Sequence, residues 1–126
     1  LTSDPATDFH PAWSPVGKQI AFSSGRSGRQ KIHRMNADGS GTKKLTDGEV
    51  VDAWPTWRRD GKQIGFVWNR SGNYDLLLMN TDGSRLNNLT KNKARDTSPA
   101  WSPDGRKLAF VSTRDGGSDI YLLDNK

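Results

Sequence analysis

Three aspartates, Asp8, Asp52 and Asp96, stand 44 residues apart, and Arg26, Arg70 and Arg114 follow them in the same phase. Carboxylates gathered at one place would suit a calcium ion, since hard cations take oxygen ligands, or the ammonium group of a lysine-bearing partner. A carboxylate facing a guanidinium makes a charge-assisted hydrogen-bonded pair instead. Because both residue types recur together, pairing is the simpler expectation. Positions that break the recurrence are better candidates for recognition. His10, Trp54 and Ser98 share one phase, and Ser24, Trp68 and Ser112 share another. Trp54 and Trp68 are therefore extra tryptophans, a residue type enriched at binding hot spots when exposed, with simple packing as the alternative role.

Catalytic chemistry finds little to work with. The chain has two histidines, His10 and His33, and no cysteine, and its serines sit in turns and at strand edges, so no nucleophile, base and orienting group can be assembled. The Gly-x-Ser-x-Gly elbow is absent. Gly25-Arg-Ser-Gly28 is a glycine-rich loop with no helix after it to cradle a phosphate. His33 reads as a solvated strand residue.

Such residues need a scaffold, and the sequence describes it by repetition. Asp8 to Phe22 matches Asp52 to Phe66 and Asp96 to Phe110 with no insertion, and residues 8–51 and 52–95 are identical at 18 of 44 positions. Leu1-Thr2 stands 44 residues before Leu45-Thr46, which precedes Leu89-Thr90 by the same step. The expected units are 8–51, 52–95 and 96–126, the last lacking its outer strand, with 1–7 as the tail of a preceding unit or a linker.

Within a unit the pattern is stranded. Pro11-Ala-Trp-Ser is a short extended piece, and Ser14-Pro-Val-Gly17 is a tight turn built on proline's fixed φ and glycine's tolerance of positive φ. Gln19 to Ser24 alternates apolar with small or polar residues, the period of a half-buried strand. A third strand is expected over Gln30–Asn36, then an Asp38-Gly39 turn and a short outer strand near Thr42–Thr46. No apolar stripe at helical spacing persists over ten residues. Four short antiparallel strands in a unit repeated at this period predict an all-β propeller blade, three to the chain.

The 32% hydrophobic content, with 13 Gly and 6 Pro, suits twisted sheets in which a few large residues per blade pack on the next. No apolar run is long enough to span a bilayer, and these 126 residues carry no signal-peptide pattern. The first residue is Leu rather than Met, which points to a processed, excised or engineered chain. The net charge of +5 raises nucleic acid as a partner, but lysines and arginines recur with the unit and are spread around it. Lys91, Lys93 and Arg95 form the one dense cluster and Asp96 follows directly, so attraction to anionic surfaces is expected and specific nucleic-acid readout is not.

The unit resembles the WD-like blade repeat of the TolB family, and the third copy carries the resemblance most fully: Asp96, Pro99, Trp101-Ser-Pro-Asp-Gly105, Leu108-Ala-Phe110, Ser112, Arg114 and Asp119-Ile-Tyr121. Val16 departs from the pattern in copy one, Arg58-Arg59 in copy two, and Lys31-Ile-His33 stands where Asp-Ile-Tyr is the rule. The resemblance implies that the first strand of each blade lines a central channel, which puts Asp8, Asp52, Asp96, His10, Trp54, Trp68, Arg26, Arg70 and Arg114 near one rim. It also implies a periplasmic setting, with which the absence of cysteine is compatible, as it is with cytoplasm.

Families of such blades close rings of six or more, so two copies of this chain about a two-fold axis would close one, the alternative being an excised fragment of a longer protein. A non-catalytic scaffold for a protein or peptide ligand at the channel mouth is the expected function. The alternatives are a regulatory propeller of a larger peptidase-type enzyme and a propeller holding a metal ion, calcium by the ligand chemistry, in its channel. In lyases with similar blades the metal is held by several histidines, which this chain lacks.

Overall fold

A four-residue turn follows the first strand of every unit. Gly17, Gly61 and Gly105 each return an N–H to the residue three before it, Ser14, Arg58 and Ser102, at 2.8–2.9 Å, with φ of 70–73°. Only glycine adopts that φ without steric cost, so the second unit keeps its turn although Arg58-Arg59 replace Ser-Pro. The computed structural model describes residues 1–125; Lys126, the last residue of the third expected unit, lies outside them.

Among the described residues are eleven strands and no helix. β1 (Asp8–Trp13), β2 (Gln19–Ser24), β3 (Lys31–Asn36) and β4 (Lys43–Lys44) form one antiparallel sheet in chain order. β5 (Val51–Trp57), β6 (Gln63–Arg70), β7 (Asn73–Asn80) and β8 (Asn87–Asn88) form the second, and β9 (Asp96–Trp101), β10 (Lys107–Ser112) and β11 (Asp119–Asp124) the third. These sheets are referred to as blades 1, 2 and 3.

β2 has the bounds its alternation predicts, whereas the outer strand is shorter than expected. Leu45 still donates its N–H to the Ile32 carbonyl at 2.8 Å, but the Ile32 N–H goes to the Thr46 hydroxyl at 3.0 Å, so a side chain ends the ladder. Leu89 and Thr90 close β7 on Leu76 in the same way. The inner strand starts earlier than Pro11, at Asp8, because a bulge lets the ladder resume upstream of the proline.

The inner strands converge and the outer ones splay. β1 packs against β5 and β5 against β9, while β4 touches only β3 and β8 only β7. Large residues of one blade meet small or aliphatic residues of the blade before it. Ile32 is completely buried among Leu45, Ile64, Phe66 and Met79, and Trp57 covers Ala12, donating Nε1–H to its carbonyl at 3.0 Å. Burial of one such side chain stabilises by about 2–3 kcal/mol. Between blades 2 and 3, Val67 and Leu76 meet Leu108 and Phe110. His33 departs from expectation. It is 2% exposed and stacked on Phe22 at 5.7 Å, because it shares a face with Met35, not with solvent, in the pleat of β3.

Candidate functional site

Each aspartate at the start of an inner strand has found a cation. Arg26 donates Nε–H to Ser24 Oγ at 2.9 Å and Nη2–H to Asp8 at 2.8 Å. Blade 3 repeats this, with Arg114 donating to Ser112 Oγ at 2.9 Å and to Asp96 at 3.3 Å. Burial pushes the Asp8 carboxyl up, but hydrogen bonds with Ser24, Arg26 and Thr2 and the Arg26 charge outweigh it and hold the group below its ordinary range.

Blade 2 does not form the expected Asp52–Arg70 pair. Trp68 stands where the other blades have the serine, so Arg70 has no hydroxyl to hold and its guanidinium lies 4.4 Å over the Trp68 ring. Asp52, 2% exposed, is taken by Lys31 of the preceding blade at 3.0 Å, and Lys31 also donates to the Val50 and Asp47 carbonyls. Burial dominates here and raises the Asp52 carboxyl above its ordinary value despite Lys31 and Thr46. The indole Nε1–H of Trp68 is satisfied by Asp75 at 3.3 Å, which also accepts from Asn88. Trp68 is thus a packing residue bound into the junction of blades 1 and 2. Lys31 was missed at the sequence level, although one signal existed: it stands in the phase of Asp75 and Asp119, with the opposite charge.

His10, Trp54 and Ser98 share an unusual backbone. Each lies in the inner-strand bulge, directly before a proline, with φ of 55°, 51° and 54°. Non-glycine residues pay about 1–3 kcal/mol for that region, and it is found most often where a side chain must be aimed. The aim here brings the His10 and Trp54 rings together at 4.8 Å, with Phe9 edge-on to His10 at 4.8 Å. On one side of this pair a cavity of about 300 Å³ runs between blades 1 and 2, lined by Phe9, Val51, Val67 and Tyr74. On the other, a more open hollow of about 310 Å³ follows the inner wall past Pro11, Pro55, Ser98 and Pro99. Trp54 remains 37% exposed between them. Burial lowers the His10 pKa, so its imidazole is neutral near pH 7, and its Nδ1 is buried with no protein partner. With Asp8, Asp52 and Asp96 each matched to a cation, this wall is aromatic, proline-rich and uncharged.

Phe9 and Tyr74 also escaped sequence reading, because neither is repeated as an aromatic in its phase. Arg95 of the basic cluster is engaged with Tyr74, its guanidinium 4.4 Å from the ring. Calcium fits poorly: among the described residues no three His, Cys, Asp or Glu side chains gather closely enough to hold a metal ion, and Asp8, Asp52 and Asp96, the oxygen ligands that reading would need, face separate cations. No helix of the described residues is long and apolar enough to cross a membrane.

The TolB beta propeller domain family matches residues 47–126. Among solved structures, the chain is similar to a protein described as TolB from Agrobacterium tumefaciens, with 27% identity and a TM-score of 0.84 over 98% of this chain and 47% of that one. It is similar to TolB from Acinetobacter baumannii, with 27% identity and a TM-score of 0.86 over 98% of this chain and 31% of that one. The β-propeller domain of the Trilobed protease from Pyrococcus furiosus shares the fold, at 18% identity and a TM-score of 0.72 over 94% of this chain and 39% of that one. The chain thus spans about half, or less, of the length of these proteins.

Proposed function

Because the chain belongs to the TolB β-propeller domain family, we propose that it is a non-catalytic scaffold that holds a protein or peptide segment against the inner wall of its blades. The observation that carries this reading is the His10–Trp54 pair, held by left-handed backbone between two hollows of about 300 and 310 Å³. An uncharged aromatic surface bordered by prolines suits an extended segment with apolar or proline side chains, and buried aromatic anchors supply most of the energy at such contacts. The unpartnered Nδ1 of His10 offers one directional hydrogen bond to a backbone amide or carbonyl, according to its tautomer. Family resemblance is the ground for placing this module in the periplasm.

The likeness to a protease propeller supports a second reading, a regulatory propeller belonging to a larger peptidase. Neither histidine hydrogen-bonds to a serine among the described residues, so the catalytic groups would have to come from elsewhere.

The test is to select binders from a random peptide library on the chain and measure their affinity for Trp54→Ala. Trp54 is 37% exposed and lies outside the buried apolar clusters that join the blades, so folding is expected to persist although its stacking on His10 is lost. Affinity should fall at least about tenfold, roughly 1.4 kcal/mol. Peptides that bind the variant equally well would show that the inner wall is not the site.

A further inference from the structure

Blade 3 satisfies its aspartate completely, and blade 2 does not. Asp96 has both carboxylate oxygens bonded, Oδ1 by Arg114 at 3.3 Å and Oδ2 by Asn92 at 2.9 Å. Asp52 accepts from Lys31 on Oδ2 at 3.0 Å, but its Oδ1 is buried with no hydrogen-bond partner among the described residues. The Thr46 hydroxyl acts on the carboxyl from nearby without completing a bond to that oxygen. The missing donor is an arginine: Arg70 holds the phase of Arg114, and its guanidinium lies over the Trp68 ring instead. A buried acceptor left without a donor is a standing cost to the fold, which a bound donor would remove.

Asp52 also stands in the wall of a hollow. Between the Leu45-Thr46 tail of blade 1 and the face of blade 2 that carries Phe66 and Trp68 lies a cavity of about 240 Å³, with Leu86, 53% exposed, completing its lining. Both walls belong to one internal junction, where Leu45, Phe66 and Trp68 pack in a single cluster. The Trp68 Nε1–H is taken by Asp75 at 3.3 Å, so a ligand must bring its own donor to Asp52. Charge is already matched here. Lys31 answers Asp52, Lys44 answers Asp47 at 2.8 Å, and Arg70 adds a positive charge over Trp68. A cation would therefore enter beside three others, whereas a neutral donor meets Oδ1 with no new charge to bury.

We propose that this hollow is a binding site for a small neutral aromatic molecule carrying an O–H or N–H donor. The donor bonds to Asp52 Oδ1, in the role that Arg114 fills at Asp96, and the ring lies against Phe66, Trp68 and Leu86. Aromatic neighbours favour such a ring through offset or edge-on contacts. The site exists in blade 2 alone among the three, because it depends on the indole that draws Arg70 away from its aspartate. It stands apart from the peptide-binding reading, since neither His10 nor Trp54 lines the hollow.

Phenol and anisole, which differ by the donor alone, test it on the isotope-labelled chain, where the indole N–H signals of the 5 tryptophans report each ring separately by nuclear magnetic resonance. Phenol is expected to shift the Trp68 signal to saturation and to bind at least about tenfold more tightly than anisole, as a hydrogen bond to a buried carboxylate provides. In Leu86→Ala, which trims an exposed wall residue, phenol affinity should fall about threefold with the preference over anisole kept. In Asp52→Asn the preference should vanish; should that variant unfold, the parent chain and Leu86→Ala decide the matter. Equal affinity for phenol and anisole in the parent overturns the proposal, because the hollow then takes rings without using Asp52. So does a Trp68 signal that stays fixed while phenol shifts Trp54, which places the probe on the inner wall.

Discussion

Blade 2 and its neighbours solve one electrostatic problem in two ways. Blades 1 and 3 use a serine, an arginine and an aspartate of a single blade: Ser24, Arg26 and Asp8, or Ser112, Arg114 and Asp96. The group is local, with the Arg26 and Asp8 side chains 18% and 15% exposed in blade 1 and Arg114 37% exposed over a buried Asp96 in blade 3. In blade 2 a tryptophan fills the serine's place, Arg70 stacks on it, and Asp52 turns to Lys31 of blade 1, in a pair 3% and 2% exposed. The difference teaches that the repeated positions are not independent. Replacing one hydroxyl by an indole displaces the arginine, which frees the aspartate, which in turn needs a cation from the next blade. A pair confined to one blade has become a lock between two.

The largest expected consequence is at that lock. Asp52→Ala leaves the Lys31 ammonium buried with backbone carbonyls as its only partners, and removing one member of a buried pair costs about 3–5 kcal/mol. Asp8→Ala strands only a partly solvated guanidinium, at a cost of about 1.5 kcal/mol. Urea unfolding midpoints at neutral pH compare the two, and equal losses would mean the burial difference has no energetic weight.

Glycines sharpen the same contrast at the junctions. Gly83 and Gly116 have nearly the same φ, +90° and +91°, but a Cβ on Gly83 would meet the Leu45 carbonyl at 2.5 Å while one on Gly116 meets nothing within 4 Å. Gly116→Ala carries only the left-handed backbone penalty, about 1 kcal/mol. Gly83→Ala must also push blade 1 off blade 2, for a total of about 2–3 kcal/mol. Thermal melts of the two variants report the difference directly.

Restoring the common arrangement in blade 2 is a subtler intervention. Trp68→Ser alone removes indole packing and orphans the Asp75 contact; Lys31→Asp alone sets a like charge against Asp52. Together they give blade 2 the serine of blades 1 and 3 and blade 1 the aspartate of blades 2 and 3, and free Arg70 for Asp52. The double variant is expected to be about 1 kcal/mol more stable than the sum of the single losses, within the range seen for residues of one network. Strict additivity would show that the two positions are not energetically coupled.

Much of the fold was legible because it was written three times. The turns at Gly17, Gly61 and Gly105, the alternation of β2 and the Leu-Thr endings are each dictated by local chemistry, and repetition removed the ambiguity of any single copy. Positions that break the repeat were legible as candidates but not in their roles. Trp54 and Trp68 look alike in sequence, yet one projects onto the inner wall and the other is held by Asp75 and Arg70. The left-handed backbone at His10, Trp54 and Ser98 escaped notice, since residues before proline ordinarily extend. Lys31 was passed over and His33 read as solvated because lysine and histidine usually are; what buries them is the arrival of the next blade and of Phe22, contacts no local window contains.

His33 gives the smallest effect and the one most specific to blade 1, because blade 2 has Leu77 in its phase. Burial lowers the His33 pKa below 6.5, and the nearby Arg26 and Lys44 charges act in the same direction, against the Lys31 carbonyl and Asp8. The unfolded chain therefore takes up a proton on acidification before the native state does. Stability that His33 contributes is complete above 6.5 and is lost as the pH falls from there through the folded-state value. His10, lowered by burial as well, adds to the slope with the same sign. His33→Leu gives blade 1 the residue of blade 2, so urea midpoints between about pH 7.5 and 5.5, spanning the ordinary histidine pKa, should fall less steeply for the variant than for the parent. His10 and the raised carboxyl of Asp52 then share in the residual slope. A parent and variant with parallel pH profiles would mean that the native blade admits a proton at His33 as readily as the unfolded chain, and that its stacking on Phe22 opens at mild acidity.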